Sequence, residues 1–260
     1  MKYTGKITMR VVAWVATVLL LIGYVCSCSK SLQPQQAEKI KVVVITAGHG
    51  FKEEPFFAMF DSFGDIEYTS AHQQDHSEIF EDISKWDYDV MVLYNMTQDI
   101  SPRRQENFVK LLRQGVGVVA LHHSIGAFQK WPEYRKIIGG KYFLNQMEED
   151  GIVHRKSGYK HDLDLGVHLE NKKHPITRRM CNFVIRDEAY SNQIFEQDNH
   201  VLLTTDHPAS DKPLCWVRKY GKARVCYIQL GHGRDAYANP DYRYLVARAI
   251  RWAAGRLNKN

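Results

Sequence analysis

Three short stretches of the chain end an apolar run on histidine: "ITAGHGF" with His49, "VVALHHSIG" with His122, His123 and Ser124, and "IQLGHG" with His232. A neutral imidazole binds divalent metals, and its ordinary pKa lets it give or take a proton near pH 7. Glycines (Gly48, Gly50, Gly126, Gly231, Gly233) flank these histidines, so the backbone there can turn sharply or come close to a ligand. A histidine after a strand can equally cap loop carbonyls, and that reading competes at each position taken alone. Strand ends of one parallel sheet share a rim, however, and a shared rim favours a shared site.

The carboxylate to go with them stands in "RDEAY". Period-2 alternation puts Asp187 and Ala189 on one face and Glu188 and Tyr190 on the other. Glu188 is either a metal ligand or a general base; its structural alternative is an exposed ion pair of little energetic weight. A carboxylate beside a tyrosine suits a sugar, whose hydroxyls need acceptors and whose apolar ring face stacks on an aromatic side chain. Trp131 and Tyr134 are three apart on one side of a short helix, either as a pocket wall or as helix-to-sheet packing. His161 and Asp162 rank below the strand-end set, as residues of a lid. The candidates are therefore His122, His123, Glu188 and His232 for catalysis, and Ser124, Trp131, Tyr134 and Tyr190 for substrate. A divalent metal, Zn or Mn, would take its ligands from His49, His122, His232 and Glu188.

The elements that must position these residues alternate. "KVVVITAG", a short strand "DIEYTSA", "YDVMVLYNM" and "VGVVALHH" read as strands, the β-branched continuous runs being of the kind buried on both faces. Between them fall an amphipathic segment from Glu53 to Phe63, the acid-rich start of "DHSEIFEDISKW", and "SPRRQENFVKLLRQG". The last carries Ser101 as N-cap, Pro102 at its first position and Gly115 at its end. This is the pattern of an open, mostly parallel α/β sheet with helices on both faces. Residues 141–180 show little periodicity and read as an insertion over the sheet, after the fourth strand. "FVIRDEAY", "HVLLTTDHP", "PLCWVRKYG" and "ARVCYIQLGHG" return to strand, the last two as a tight hairpin. "NPDYRYLVARAIRWAAGRL" closes the chain as a helix burying Leu245, Ala249 and Trp252.

With 260 residues the chain has room for one large domain, expected over residues 40–258. Lys+Arg number 35 against Asp+Glu 29, but the cations of the body are interleaved with acids, which argues against a nucleic-acid partner. Residues 1–30 carry Lys2, Lys6 and Arg10, then "VVAWVATVLLLIGYV", then "VCSCSK", the order of an export signal ending in a lipobox-like site with Cys28 as the lipidated residue. An uncleaved N-terminal helix is the alternative. Residues 31–39 are a polar tether, so the domain is expected to be exported and anchored to a membrane face, periplasmic or at the cell surface. Cys181, Cys215 and Cys226 have no metal-type spacing; the last two lie in neighbouring strands, either as buried thiols or as one bridge.

Together, "ITAGHGF", "GVGVVALHHSIGAFQKWPEYRKIIGGKY", "HPITRRM", "FVIRDEAY", "YGKARVCYIQLGH" and "AIRWAAG" resemble the ThuA-like (trehalose-utilisation) domain, within the class I glutamine amidotransferase-like superfamily. The resemblance implies a flavodoxin-like sheet. It also implies that the elbow where amidotransferases keep a nucleophilic cysteine here holds His122, which cannot form the thioester of glutamine hydrolysis. The substrate class it implies is a disaccharide or glycoside, including 3-keto derivatives, whose carbonyl acidifies the neighbouring C–H. Two functions follow: an enzyme using metal- or histidine-assisted acid/base chemistry on such a sugar, or a non-catalytic carbohydrate-binding or complex-forming lipoprotein. Association with a second copy is left open. Plain glycoside hydrolysis ranks last, because it needs two carboxylates about 5 to 10 Å apart and only Glu188 stands at a strand end.

Overall fold

The structure, a computed structural model, describes residues 38–74 and 77–257. The expected export signal, and the tether up to residue 37, lie outside the described residues. In chain order the sheet begins with β1 (Ile40–Ala47), β2 (Ile66–His72), β3 (Val90–Asn95) and β4 (Gly117–Leu121). It ends with β11 (His200–Thr204), β12 (Pro213–Tyr220) and β13 (Ala223–Ile228). Five of these strands form a parallel half in the order β2-β1-β3-β4-β13. Their β-branched runs are buried because both faces are covered. The helices are α1 (Glu53–Asp61), α2 (Pro102–Gln114), α3 (Pro132–Ile138), α4 (Arg234–Ala238) and α5 (Pro240–Ala253). Phe56, Phe60, Leu245 and Ala249 of α1 and α5 pack with Val42, Val44, Val90 and Val92, while Phe108, Leu112, Ile137 and Ile138 of α2 and α3 pack with Val43, Ile45, Met91 and Leu93. Alternate residues of each strand therefore serve opposite cores.

The helix ends follow their local chemistry. Ser101 accepts the N–H of Arg104, and Gly115 closes α2 in the left-handed region at φ 109°. Asn239 accepts the N–H groups of Asp241 and Tyr242 ahead of Pro240. Leu245 and Ala249 of α5 are fully buried, but Trp252 is only half-buried, with the Arg224 guanidinium over its ring.

Two expectations are corrected. Asp75 and His76 lie outside the described residues, and from Ser77 to Trp86 there is no α-helix but a single 3-10 turn at Glu78–Phe80. Side chains take the backbone groups that a helix would pair: Gln73 accepts the N–H of Ile79, and Asn107 donates to the carbonyls of Phe80 and Glu81. The stretch 141–180 is not simply an insertion over the sheet. After the short strands β5 (Gly140–Lys141), β6 (Met147–Glu149) and β7 (Ile152–His154), the twelve-residue β8 (Gly158–Leu169) joins the main sheet between β11 and β9 (Phe183–Ser191). Its periodicity is hidden by a bulge between Lys160 and Leu163, where Asp162 sits at φ 58°. With β12, these strands make an antiparallel extension of the parallel half, nine strands in all. β10 (Ile194–Phe195) pairs with β5. Cys215 and Cys226 are buried free thiols with Sγ atoms 3.9 Å apart, and Cys181 is exposed.

Candidate active site

β4 ends at Leu121, and the next residue, His122, adopts φ 49° at the head of a 3-10 turn running to Gly126. A left-handed non-glycine residue directly after a buried strand is the geometry of a nucleophile elbow, where one side chain is presented at the carboxyl rim. Two contacts hold it there. Tyr227 donates its hydroxyl to the His122 carbonyl at 2.9 Å, and His122 Nδ1 lies 2.6 Å from the Gln229 carbonyl oxygen. A carbonyl only accepts, so Nδ1 carries the proton and Nε2 is left with its lone pair. Around that lone pair stand the Tyr190 hydroxyl at 2.8 Å, His232 Nδ1 at 3.2 Å and Glu188 Oε1 at 3.7 Å.

β9 supplies two adjacent carboxylates with different tasks. Asp187 turns toward the loop after β13, where Oδ2 accepts the N–H of Gly231 at 2.7 Å and Oδ1 that of His232 at 2.9 Å. It also accepts the N–H of Glu188. Glu188 turns the other way, its Oε2 lying 3.2 Å from His232 Nδ1 and 2.5 Å from His161 Nδ1. His161 reaches it from the β8 bulge. One atom each from His122, Glu188 and His232 falls within 4.8 Å of the others, a compact donor set.

Burial governs the charges. It depresses His122 well below the ordinary imidazole pKa and takes His123 down to about 3, with neighbouring imidazoles adding to the effect, so both rings stay neutral. His232 is lowered by the same cause. Desolvation raises Glu188 to about 7, with the Asp187 charge contributing; it raises Asp187 to about 6 against the pull of its three N–H bonds.

A cavity of about 180 Å³ opens beside this cluster. His49, His123, His161, Glu188 and Tyr190 line one part of it, and Met96, Ile125, Leu144, Tyr142 and Tyr159 much of the rest. His123 directs Nε2 at the Tyr94 carbonyl, 3.3 Å away, while its buried Nδ1 has no hydrogen-bond partner among the described residues. His49 stacks on His123 with ring centroids 4.5 Å apart and spends Nδ1 on the Gly50 carbonyl, so it borders the cavity outside the compact donor set. Trp131, Tyr134 and Ser124 do not reach the cavity. Trp131 and Tyr134 stack on each other and pack against Phe108, because α3 needs an apolar side to cover the sheet; Ser124 is fully buried, its carbonyl accepting from Tyr134. What sequence reasoning missed is the anchoring role of Asp187 and the walls formed by Met96, Leu144, Tyr142 and Tyr159. His161, which ranks below the strand-end set in the sequence, lies against Glu188 from the β8 bulge.

The family model described as ThuA, trehalose utilisation, matches residues 41–253. The chain belongs to the ThuA family. No curated protein sequence matches it. Among solved structures, a ThuA-like protein from Parabacteroides merdae superposes with a TM-score of 0.72 at 20% identity, covering 85% of this chain and 92% of that one. One from Bacteroides uniformis gives 0.57 at 21%, covering 84% and 92%. A β-galactosidase from Bacillus circulans sp. alkalophilus gives 0.53 at 13%, covering 84% of this chain but 31% of its own. At such identities the likeness establishes the α/β fold of this ThuA domain.

Proposed function

We propose that this ThuA protein is an enzyme acting on an oxidised disaccharide or glycoside, through a divalent ion held by His122, His232 and Glu188. The observation that carries the reading is the spacing of these donors. Ligand atoms about 2.1 Å from a tetrahedral ion lie roughly 3.4 Å from one another; here His232 Nδ1 is 3.2 Å from both His122 Nε2 and Glu188 Oε2, His122 Nε2 is 3.7 Å from the other Glu188 oxygen, and one donor atom from each residue falls within 4.8 Å of the others. His122 further has its second nitrogen committed to a backbone carbonyl, the arrangement that orients a ligating imidazole. Two imidazoles and a carboxylate suit Zn or Mn.

When bound, such an ion supplies Lewis-acid polarisation of a carbonyl oxygen. The chain's own groups do the rest. Glu188 and the half-exposed His161 share a 2.5 Å contact through which a proton taken from an acidified C–H passes toward solvent. Plain two-carboxylate hydrolysis fits poorly, since among the described residues Glu188 is the one carboxylate lining the cavity and Asp187 is committed to N–H groups. Glutamine hydrolysis fits no better, because the elbow carries His122, while Cys215 and Cys226 lie within strands and Cys181 at the surface. Export and lipid anchoring through Cys28 belong to the same reading, with the mass of the mature N-terminus as their test.

The direct experiment offers 3-keto-disaccharides and their unoxidised parents to the protein, with chelator or with added Mn²⁺ or Zn²⁺, and follows products by NMR. Metal-dependent consumption of the keto sugars alone supports the reading. Absence of stoichiometric metal after reconstitution, together with a His122→Ala variant that loses nothing, overturns it.

A further inference from the structure

We propose that the cavity takes a single uncharged sugar ring, held by the polar groups that line it, and that Gly126 sets the size of ring admitted. This deepens the function above and rests on that reading for the identity of the site.

Size comes first. At about 180 Å³ the cavity is smaller than the roughly 300 Å³ at which sites for drug-sized ligands begin, so it accommodates one ring and leaves a second sugar outside. Charge comes next. Among the described residues no lysine or arginine lines it, and Glu188 is its one carboxylate. In the metal-free protein a phosphate or an acid group would therefore enter without the cationic partner that such groups require when desolvated. The third observation selects hydroxyls. Glu188, Tyr159 and the half-exposed His161 line the cavity with groups that accept from or donate to hydroxyls, beside the apolar Met96, Ile125 and Leu144. A purely apolar ligand would leave those polar groups desolvated without partners, which is costly.

The apolar wall then has a place for the ring's C–H face. Gly126 lies between Met96 and Leu144; a Cβ there would sit 3.4 Å from the Met96 sulfur and 3.8 Å from a Leu144 methyl. These are ordinary contacts, so alanine fits at 126, while a larger side chain would project among the wall residues and take the volume of the ring. The three atoms nearest that Cβ belong to Met96 and Leu144 and none to His122, His232 or Glu188, so substitution at 126 is expected to leave the donor set in place.

The test is calorimetric titration of the full chain, with and without Zn²⁺, using methyl α-D-glucopyranoside, its 3-keto derivative and glucose 6-phosphate as probes. In the zinc-free protein a neutral probe should bind at least tenfold more tightly than the phosphate. Gly126→Leu should weaken neutral binding at least tenfold with unchanged zinc stoichiometry; Gly126→Ala, the fold-preserving control, should stay within about threefold of wild type. The inference is overturned if no neutral probe binds, if the phosphate binds as tightly to the zinc-free protein, or if Gly126→Leu binds like wild type. Absence of zinc or of turnover in a protein that still binds neutral sugar in a Gly126-dependent way would instead overturn the metal-enzyme reading and leave this one standing.

Discussion

His122 Nδ1 is 2.6 Å from the carbonyl oxygen of Gln229, a residue at the end of the neighbouring parallel strand. Two strand ends are thus tied together by the same bond that fixes the imidazole tautomer. The expected consequence is metal affinity concentrated on His122: His122→Ala should weaken Zn²⁺ binding by more than about 100-fold, exceeding the 10- to 100-fold typical of losing an outer partner. Competition titration against a chromophoric chelator measures it, and an unchanged affinity would remove His122 from the ligand set.

Asp187 should behave as a positioning residue. Its two oxygens accept N–H groups from Gly231, His232 and Glu188, so the loop bearing His232 is held by one buried carboxylate. Asparagine keeps one acceptor and turns an NH₂ toward a backbone donor; a buried donor left unmade costs about 1 to 3 kcal/mol. Asp187→Asn should therefore lower Tm by roughly 5 °C in a domain of this size and weaken Zn²⁺ binding about tenfold. A drop in Tm with unaltered metal affinity would restrict Asp187 to a structural role.

Much of this arrangement was legible because it is local. The β-branched runs ending at His49 and His122, the Ser101 and Asn239 caps and the hairpin at Gly221 each follow from a few neighbouring residues, and they were enough to place three histidines on one rim. Glu188 and Tyr190 came from alternation along one strand. What was not legible depends on distant partners. The bulge at Asp162 breaks the alternation of β8, so His161 could not be aimed at Glu188 in advance. Trp131 and Tyr134 satisfy helical spacing equally as wall or as core, and only the position of Phe108 on another helix decides for the core. The helix expected near Glu78 failed because Gln73 and Asn107, outside it, capture its backbone groups.

The stability of the metal-free protein should depend on pH in two opposing ways. Glu188 and Asp187 are raised in the folded state, to about 7 and about 6, so the folded form holds extra protons and stability declines as pH rises from the ordinary carboxylate range through those values. His122, His123 and His232 are lowered, so their contribution is present above the ordinary imidazole pKa and is lost as pH falls below it, for His123 down to about 3. The two effects run in opposite directions with pH, and variants separate them. Glu188→Gln should raise Tm at pH 8 and not at pH 4, and His123→Phe should flatten the acid side. Thermal melts in EDTA across pH 4 to 8 test both; a Glu188→Gln effect of equal size at the two ends would contradict the burial of Glu188 as the source.

Tyr190 supplies the sharpest separation of metal binding from turnover. Its hydroxyl lies 2.8 Å from His122 Nε2, and since that nitrogen bears no proton, the hydroxyl donates to the lone pair a metal would use. Ion and hydroxyl therefore compete for one atom. Tyr190→Phe removes the competitor while its ring, which stacks on His122 with centroids 4.9 Å apart, is preserved. Zn²⁺ should bind more tightly by a factor of about 2 to 10, the equivalent of one neutral hydrogen bond, whereas turnover should fall if the hydroxyl, which lines the cavity, also donates to substrate. Parallel metal titration and steady-state kinetics distinguish the cases. Weaker Zn²⁺ binding in Tyr190→Phe would make the tyrosine a supporter of the ligand set, and tighter binding with undiminished kcat would leave it no part in the chemistry.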